Sequence, residues 1–256
     1  MTIDDAARRA EVSKSTLSRV ENALVTPRLP ALRAMLTVYG VEEEATDLLV
    51  QLAREANQRG WWHQYSDITP EWFEVYVGLE DAAKELRIYE PLFVHGLLQT
   101  EAYAHAVIRS EHVAQPAPVI ERRVAMRMDR QSRIPPDNRP QLWVVLDQAV
   151  LHRQVGGHKV MRDQLDHLLE ISEMPRTTLL VLPWTAGSYP SMGSAFTIMS
   201  FLSDPDVVFL ENRVSALYLE DSERVASFTL TFDHLRATAE SADKTRDLIR
   251  VVKAEL

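Results

Sequence analysis

Residues 11–27 read EVSKSTLSRVENALVTP. After Val12 and Ser13 comes a short run of hydroxyls and cations in which every third or fourth residue is aliphatic. The run is too polar for a core helix and too regular for a loop. Ser13 suits an N-cap, because its hydroxyl can accept from an amide of the first turn that has no helical partner. The spacing predicts a helix from about Lys14 to Asn22. Leu17 and Val20 point inward, and Lys14, Ser15, Ser18, Arg19 and Asn22 point outward. Working outward from this stretch, Thr2 can cap an earlier helix whose first turn carries Asp4 and Asp5, the charges favoured at that end. That helix runs to about Ala10, with Ala6, Ala7 and Ala10 on its inner side. Two helices joined by a tight turn, the second with short donors and cations on its outer face, have helix-turn-helix geometry.

In such a pair the second helix enters the major groove. Arg19 can reach guanine edges or phosphate, and Lys14 sits at the helix start, where groove contacts concentrate. The hydroxyls of Ser15 and Thr16 suit either base or backbone. The expected base contacts come from Lys14, Ser15, Ser18 and Arg19. The expected phosphate contacts come from Arg8, Arg9, Asn22 and Arg28.

The stretch AARRAEVSKSTLSRVENALVTP resembles the repressor-type (XRE-like) helix-turn-helix regulators, with their A-x-x-x-G-V-S-x-x-x-[IL]-S-x-[IWV]-E-x-G pattern. The resemblance places Lys14, Ser15, Ser18 and Arg19 at groove-reading positions and Asn22 at a phosphate-contacting one. Two glycines of the pattern are replaced, the turn glycine by Glu11 and the one after the recognition helix by Ala23. A glycine takes positive φ at least cost, so the first replacement bears on the turn. The family's domain has five helices. Four fit here, at about 3–10, 14–22, 29–39 and 43–57, which would put the family's first helix upstream of Met1.

The totals set limits. The chain has 256 residues, 46% hydrophobic and 25% charged, enough for a real core. Its formal net charge is -9, so any contact with nucleic acid must be local rather than carried by bulk charge. It has no cysteine, which excludes disulfides, thiol catalysis and Cys-containing zinc sites. No signal-peptide core and no apolar run of membrane-spanning length is present, and a cytoplasmic protein is expected.

A helix from Thr46 to about Gln58 closes the first domain, with Leu48, Leu49 and Leu52 as its apolar stripe. NQRGWWHQYSDITPEW reads as a boundary in which Trp61 and Trp62 dock the linker onto a second domain, giving domains at 1–59 and 60–256. Thr69-Pro70 begins a helix with good cap chemistry, on which Trp72, Tyr76 and Leu79 share a face. ELRIYEPLFVHGLLQTEAYAHAVI reads as a short strand, a glycine turn and a helix from about Thr100. IERRVAMRMDRQSRI reads as a helix with Ile120, Val124 and Met128 inward. Arg123, Arg127 and Arg130 form a stripe on another face, suited to phosphate or, more readily in so acidic a chain, to carboxylates. After PPDNRP, QLWVVL, HKVMRDQLDHLLEIS and TTLLVLP form a strand-helix-strand run that implies a parallel pair. AFTIMSF, VVFLE and ALYLE read as an antiparallel extension, and two helices at about 221–239 and 242–254 end the chain. The fold class is therefore α+β: an all-α helix-turn-helix domain followed by a mixed α/β domain.

YEPLFVHGLLQTEAYA, RRVAMRMDRQ, LPWTAGSYPSMGSAFTIMSF and LYLEDSE occur in that order. Together they resemble the large C-terminal domain, of no assigned activity, found in a set of actinobacterial helix-turn-helix regulators. Such proteins are typically encoded beside a small partner protein, and some pairs behave like antitoxin and toxin. The resemblance implies a C-terminal domain that binds a partner, itself or a ligand. His95 replaces a usual proline and Gln148 a usual glutamate.

Catalytic patterns fit poorly. Gly156-Gly157-His158-Lys159 lacks the frame of a phosphate loop, and no G-x-S-x-G or H-E-x-x-H occurs. Asp163 and His167 stand at i, i+4, but two ligands are too few for a metal. The 184–194 loop, rich in glycine, hydroxyls and aromatics, suits a pocket lining or a plain connection. The expectation is a non-enzymatic transcriptional regulator that binds double-stranded DNA as a homodimer, with no cofactor, metal or membrane. The alternatives are an antitoxin-type module holding a small protein encoded by a neighbouring gene, and, more weakly, a small-molecule sensor built on Trp61, Trp62 and the 184–194 loop.

Overall fold

The computed structural model of this chain describes residues 1–22, 27, 29–57, 60–133 and 140–256, with the side chains of residues 52 and 54–57 left aside. It divides into two compact units, Met1–Trp61 and Trp62–Leu256.

The first unit holds four helices among the described residues: α1 (Ile3–Arg9), α2 (Lys14–Glu21), α3 (Leu29–Val38) and α4 (Glu43–Asn57). Thr2 and Ser13 cap α1 and α2 as expected, accepting from the amides of Asp5 and Thr16. Ala6, Ala7, Ala10, Leu17 and Met35 form the core, and Val12 and Val20 pack against it. The small residues of α1 let α2 and α3 approach closely. Leu17 is fully buried and contributes roughly 1.5–3 kcal/mol.

Two of these helices end in the same way. After α3, Gly40 takes φ +73°, while the amides of Gly40 and Val41 donate to the carbonyls of Thr37 and Leu36. After α1, Glu11 takes φ 56°, and the amides of Glu11 and Val12 donate to Arg8 and Ala7. Both are Schellman closures. The second puts a glutamate where left-handed backbone favours glycine, at the position that the sequence pattern marks.

On α4 the stripe differs from the expected one. Among the described residues Thr46 and Val50 are its buried ones, whereas Leu48 is 60% and Leu49 40% exposed. At 100° per residue, Thr46 and Val50 share one side and the two leucines turn away from it. The side chain of Leu52 lies outside the described residues, as do Ala23, Gln58, Arg59 and residues 135–139 of the PPDNRP break.

In the second unit, 3-10 turns sit at Trp61–Tyr65, which overlaps the boundary, and at Gly96–Leu98 and Trp184–Ala186. Between and after them come α5 (Glu71–Ala82), β1 (Glu85–Glu90), α6 (Glu101–Glu111), α7 (Ala117–Ser132), β2 (Gln141–Asp147), α8 (Gln148–His152), α9 (His158–Ser172), β3 (Thr177–Leu182), β4 (Phe196–Ser200), β5 (Val207–Glu211), β6 (Ala216–Leu219), α10 (Ser222–Thr238) and α11 (Ala242–Ala254). The strands form one mixed sheet in the order β3-β2-β1-β4-β5-β6. β2 lies parallel to both β1 and β3, and β4, β5 and β6 continue antiparallel from β1. With the helices of the first unit, this is an α+β chain.

β2 is apolar on both faces because both are covered: Leu142, Val144, Val145 and Leu146 are all buried. On one face, Phe232 and Leu235 of α10 pack with Tyr89, Val145, Phe196, Ile198 and Val208. On the other, Tyr76 of α5 lies 4.4 Å from Phe209 between ring centres. The β3 edge is closed by the turn between α10 and α11 and by the first turn of α11: Glu240 donates its amide to Val181, and Thr245 of α11 accepts from the Val181 amide.

Two local readings change. Pro70, not Thr69, occupies the N-cap of α5 and makes no side-chain cap; the Thr69 hydroxyl donates instead to the Tyr65 carbonyl at 2.7 Å. Residues expected as linker also belong to the second unit's core. Tyr65 and Ile68 are buried, the Tyr65 hydroxyl donates to Asp129 at 2.6 Å, and the Trp62 ring packs over Gly78. Among the described residues, no helix is long and apolar enough to cross a membrane.

Candidate nucleic-acid interface

The first unit presents α2 with Leu17 in the core and Lys14, Ser15, Arg19 and Asn22 exposed; Thr16 and Ser18 are half-buried. The outward set expected from spacing therefore shares one helix face. Arg28 lies outside the described residues.

Ser13 organises the start of this face. Its hydroxyl accepts from the Thr16 amide at 3.1 Å and lies 3.0 Å from the Ser15 hydroxyl and 2.7 Å from that of Thr16. Three hydroxyls thus crowd the positive end of the α2 dipole, where phosphate oxygens are readily received. One turn on, the Arg19 Nε donates to the Ser15 carbonyl at 3.3 Å, which holds the stem along the helix. The Asn22 amide donates to the Ser18 carbonyl at 2.7 Å at the other end.

Two acids temper the cations. The Lys14 ammonium stands 2.9 Å from the Asp4 carboxylate, with both side chains about 60% exposed. Arg8 pairs with Asp5 in the same way. Thr2 and Arg8 hold the Asp5 carboxyl below its ordinary value, the Thr2 hydroxyl most strongly. Exposed pairs of this kind are weak, about 0–1 kcal/mol, and exchange readily for other partners. Among the described residues Arg9 is exposed and makes no ion pair. Residues 1–61 carry eight basic and nine acidic residues, so the unit is almost neutral and its cationic character is local to α1 and α2.

The spacing of α2 brought out its face but not the Asp4–Lys14 pairing. Ten residues and a turn separate those two, and the turn sets how they meet.

The other sequence candidates sit in the second unit. The arginine stripe of α7 is drawn largely into the protein: Arg130 meets Glu80, and Arg127 donates to Gln99 at 2.7 Å. His95 is buried beside them, 3.4 Å from the Tyr76 hydroxyl. Burial together with Arg130 and Arg127 lowers its pKa well below the usual imidazole range, so it stays neutral. Gln148 accepts from the Trp184 amide at 3.0 Å and so tethers the start of the 184–194 loop. Tyr189 of that loop donates to Asp147 and accepts from Tyr89 at 3.2 Å. His167 pairs with Glu170 at 3.8 Å rather than with Asp163, and no metal-holding cluster occurs among the described residues.

Residues 73–251, more than half of the chain, match the model of a family described as a domain of unknown function (DUF5753). Residues 1–49 match that of a helix-turn-helix domain. No curated protein and no solved structure matches the chain.

Proposed function

For a chain that belongs to the DUF5753 family and carries a helix-turn-helix domain ahead of it, we propose the role of a DNA-binding transcriptional regulator of the repressor type. It acts in the cytoplasm as a binding protein, not as a catalyst. α2 enters the major groove, with Lys14 and Ser15 toward base edges at its start and Arg19 one turn on. Thr16, Asn22, Arg8, Arg9 and Arg28 meet the sugar-phosphate backbone. The observation that carries this reading is the division of α2: Leu17 is fully buried while Lys14, Ser15, Arg19 and Asn22 are exposed. Eight helical residues read few base pairs, so the regulator works as a homodimer on twofold-related half-sites. The C-terminal domain serves as its effector or partner domain.

Selection of bound duplexes from a randomised pool by the full-length protein tests this. The expected product is a twofold-symmetric site occupied by two chains, with affinity that falls steeply as salt rises. Enrichment of no sequence, with only salt-sensitive coating of any duplex, would overturn it.

A further inference from the structure

The two edges of the six-stranded sheet end differently. At β3, Glu240 and Thr245 take up the carbonyl and amide of Val181. At the other edge, nothing among the described residues pairs with the outer side of β6. Natural sheets guard an open edge with charge, proline or a bulge. β6 itself is Ala216-Leu217-Tyr218-Leu219, with neither charge nor proline. Leu217 is 52% exposed, and Val214 just before the strand 82%.

The register shows which backbone groups are open. The Asn212 amide donates to the Ser215 carbonyl at 2.9 Å across the connection from β5 to β6. In an antiparallel pair, hydrogen-bonded rows alternate with rows that have no hydrogen bonds. Counting on from Asn212 and Ser215, Leu210–Leu217 and Val208–Leu219 are the hydrogen-bonded rows. Ala216 and Tyr218 therefore turn their amides and carbonyls away from β5. Among the described residues these groups meet no other partner.

Charge is divided along the same edge. Arg213 stands before β6 and Asp221 after it, both exposed, with Glu220 and Glu223 beside Asp221. Among the described residues none of these four makes an ion pair. One Asp221 oxygen caps α10, accepting from the Arg224 amide at 3.1 Å.

We propose that β6 pairs antiparallel with β6 of a second copy of this chain, about a twofold axis through Leu217. Ala216 of each copy then exchanges two hydrogen bonds with Tyr218 of the other, which satisfies every open group on both strands. The two Leu217 side chains meet on the axis, and Arg213 of each copy reaches Asp221 of the other. Parallel pairing would instead set like charges side by side, Arg213 on Arg213 and Asp221 on Asp221. The edge is thus complementary to itself in the antiparallel sense, which an isologous interface requires. The contact is short, so the dimer is weak and dissociates at about micromolar concentration. As the dimer that meets twofold-related half-sites it rests on the regulator reading; as self-association it does not.

Sedimentation velocity of the full-length protein without DNA, from about 1 to 200 µM, tests this and should show a monomer–dimer equilibrium. Leu217→Lys, which sets two charges face to face on the axis, should raise the dissociation constant at least about tenfold. Arg213→Asp and Asp221→Arg should each weaken the dimer. The two together should restore it, which loss of the α10 cap alone would not allow. The chain has no cysteine, so an engineered one is read without ambiguity. Across a row without hydrogen bonds the Cα atoms stand about 4.5 Å apart, within disulfide range. Leu217→Cys should therefore give a disulfide-linked dimer on mild oxidation. Val214→Cys, more exposed but about 20 Å from its own counterpart in this register, should not. A protein that stays monomeric throughout, as it would if the edge takes a strand from a different protein, overturns the proposal. So does a dimer that Leu217→Lys leaves intact, or that links no better through Leu217→Cys than through Val214→Cys. Dimerisation through β6 by a protein that selects no DNA would overturn the regulator reading alone. A selected twofold site holding two chains that Leu217→Cys does not link would overturn this interface alone.

Discussion

Arg130 and Glu80 meet 3.1 Å apart with side chains only 7% and 4% exposed. Tyr76 donates its hydroxyl to the other oxygen of Glu80 at 2.7 Å, and the guanidinium lies 5.6 Å from the centre of the Tyr76 ring. Gly96 makes room for it: a Cβ there would stand 2.6 Å from Arg130 Nη2. The pair joins α5, α7 and the turn after β1 on one face of the sheet. A buried pair adds little net stability when whole, because desolvation offsets attraction, but leaves an uncompensated charge when halved.

Glu80→Ala should therefore destabilise the C-terminal unit by about 3–5 kcal/mol, and Glu80→Leu with Arg130→Met should recover most of that loss. Chemical denaturation of the full-length variants reads both. A single-variant loss under about 1 kcal/mol would mean that water satisfies the charge left behind.

Glu90 gives a pH dependence. Burial first, then the like charges of Glu211 and Glu111, raise its carboxyl to about 8, with Arg127 opposing. The folded state then holds a proton that the unfolded chain releases from about pH 4.5 upward. Stability falls as pH rises from there and levels off above about 8. Glu90→Gln removes this loss. The variant should match the parent near pH 4.5 and exceed it by a few kcal/mol near pH 9, as read by thermal melts across that range. A constant difference between the two curves would show that Glu90 does not titrate in this window.

Glu11 holds left-handed backbone, φ 56°, at the turn between α1 and α2. That conformation costs an L-residue roughly 1–2 kcal/mol. Glycine removes the strain but gives the unfolded chain about 0.4–1 kcal/mol of added freedom. Glu11→Gly should thus stabilise the N-terminal unit by up to about 1 kcal/mol, and Gly40→Ala, with the opposite change at the matching turn, should destabilise it. Amide exchange of α1 and α3 reports on both.

The Asp4–Lys14 pair holds a cation that the regulator reading assigns to the groove. Asp4→Asn should tighten DNA binding several-fold, and Lys14→Gln should weaken it and reduce the salt slope by up to about one unit if Lys14 touches phosphate. Arg19→Ala should cost about 1–3 kcal/mol and relax specificity at one base position. Uniform weakening on every duplex would place Arg19 on the backbone instead. Fluorescence anisotropy across a salt series separates these cases.

The sequence by itself determined what depends on neighbours in the chain. Ser13, Leu17 and Val20 mark α2 because capping and helical period act within a turn or two, and Ala6, Ala7 and Ala10 mark the inner side of α1 likewise. The parallel β2–β3 pair and the antiparallel β4–β5–β6 run were legible because short connections leave few ways to join the strands. The outer face of α2 was legible too, since what a short helix turns outward follows from what it must bury.

Only the tertiary structure decided the rest. That β4 returns to the far side of β1, and so makes β1 the point of reversal, depends on pairings more than a hundred residues apart. The α7 arginines lie on one stripe in the sequence, yet only the packing shows Arg130 buried on Glu80 of α5 and Arg127 donating to Gln99. On α4, Leu48 and Leu49 look like part of a buried stripe, but which side is covered depends on where α3 lies, and among the described residues Thr46 and Val50 are the enclosed ones. Period and capping are short-range and repeat along the chain. Burial and charge pairing are set by whichever distant residues the fold brings together.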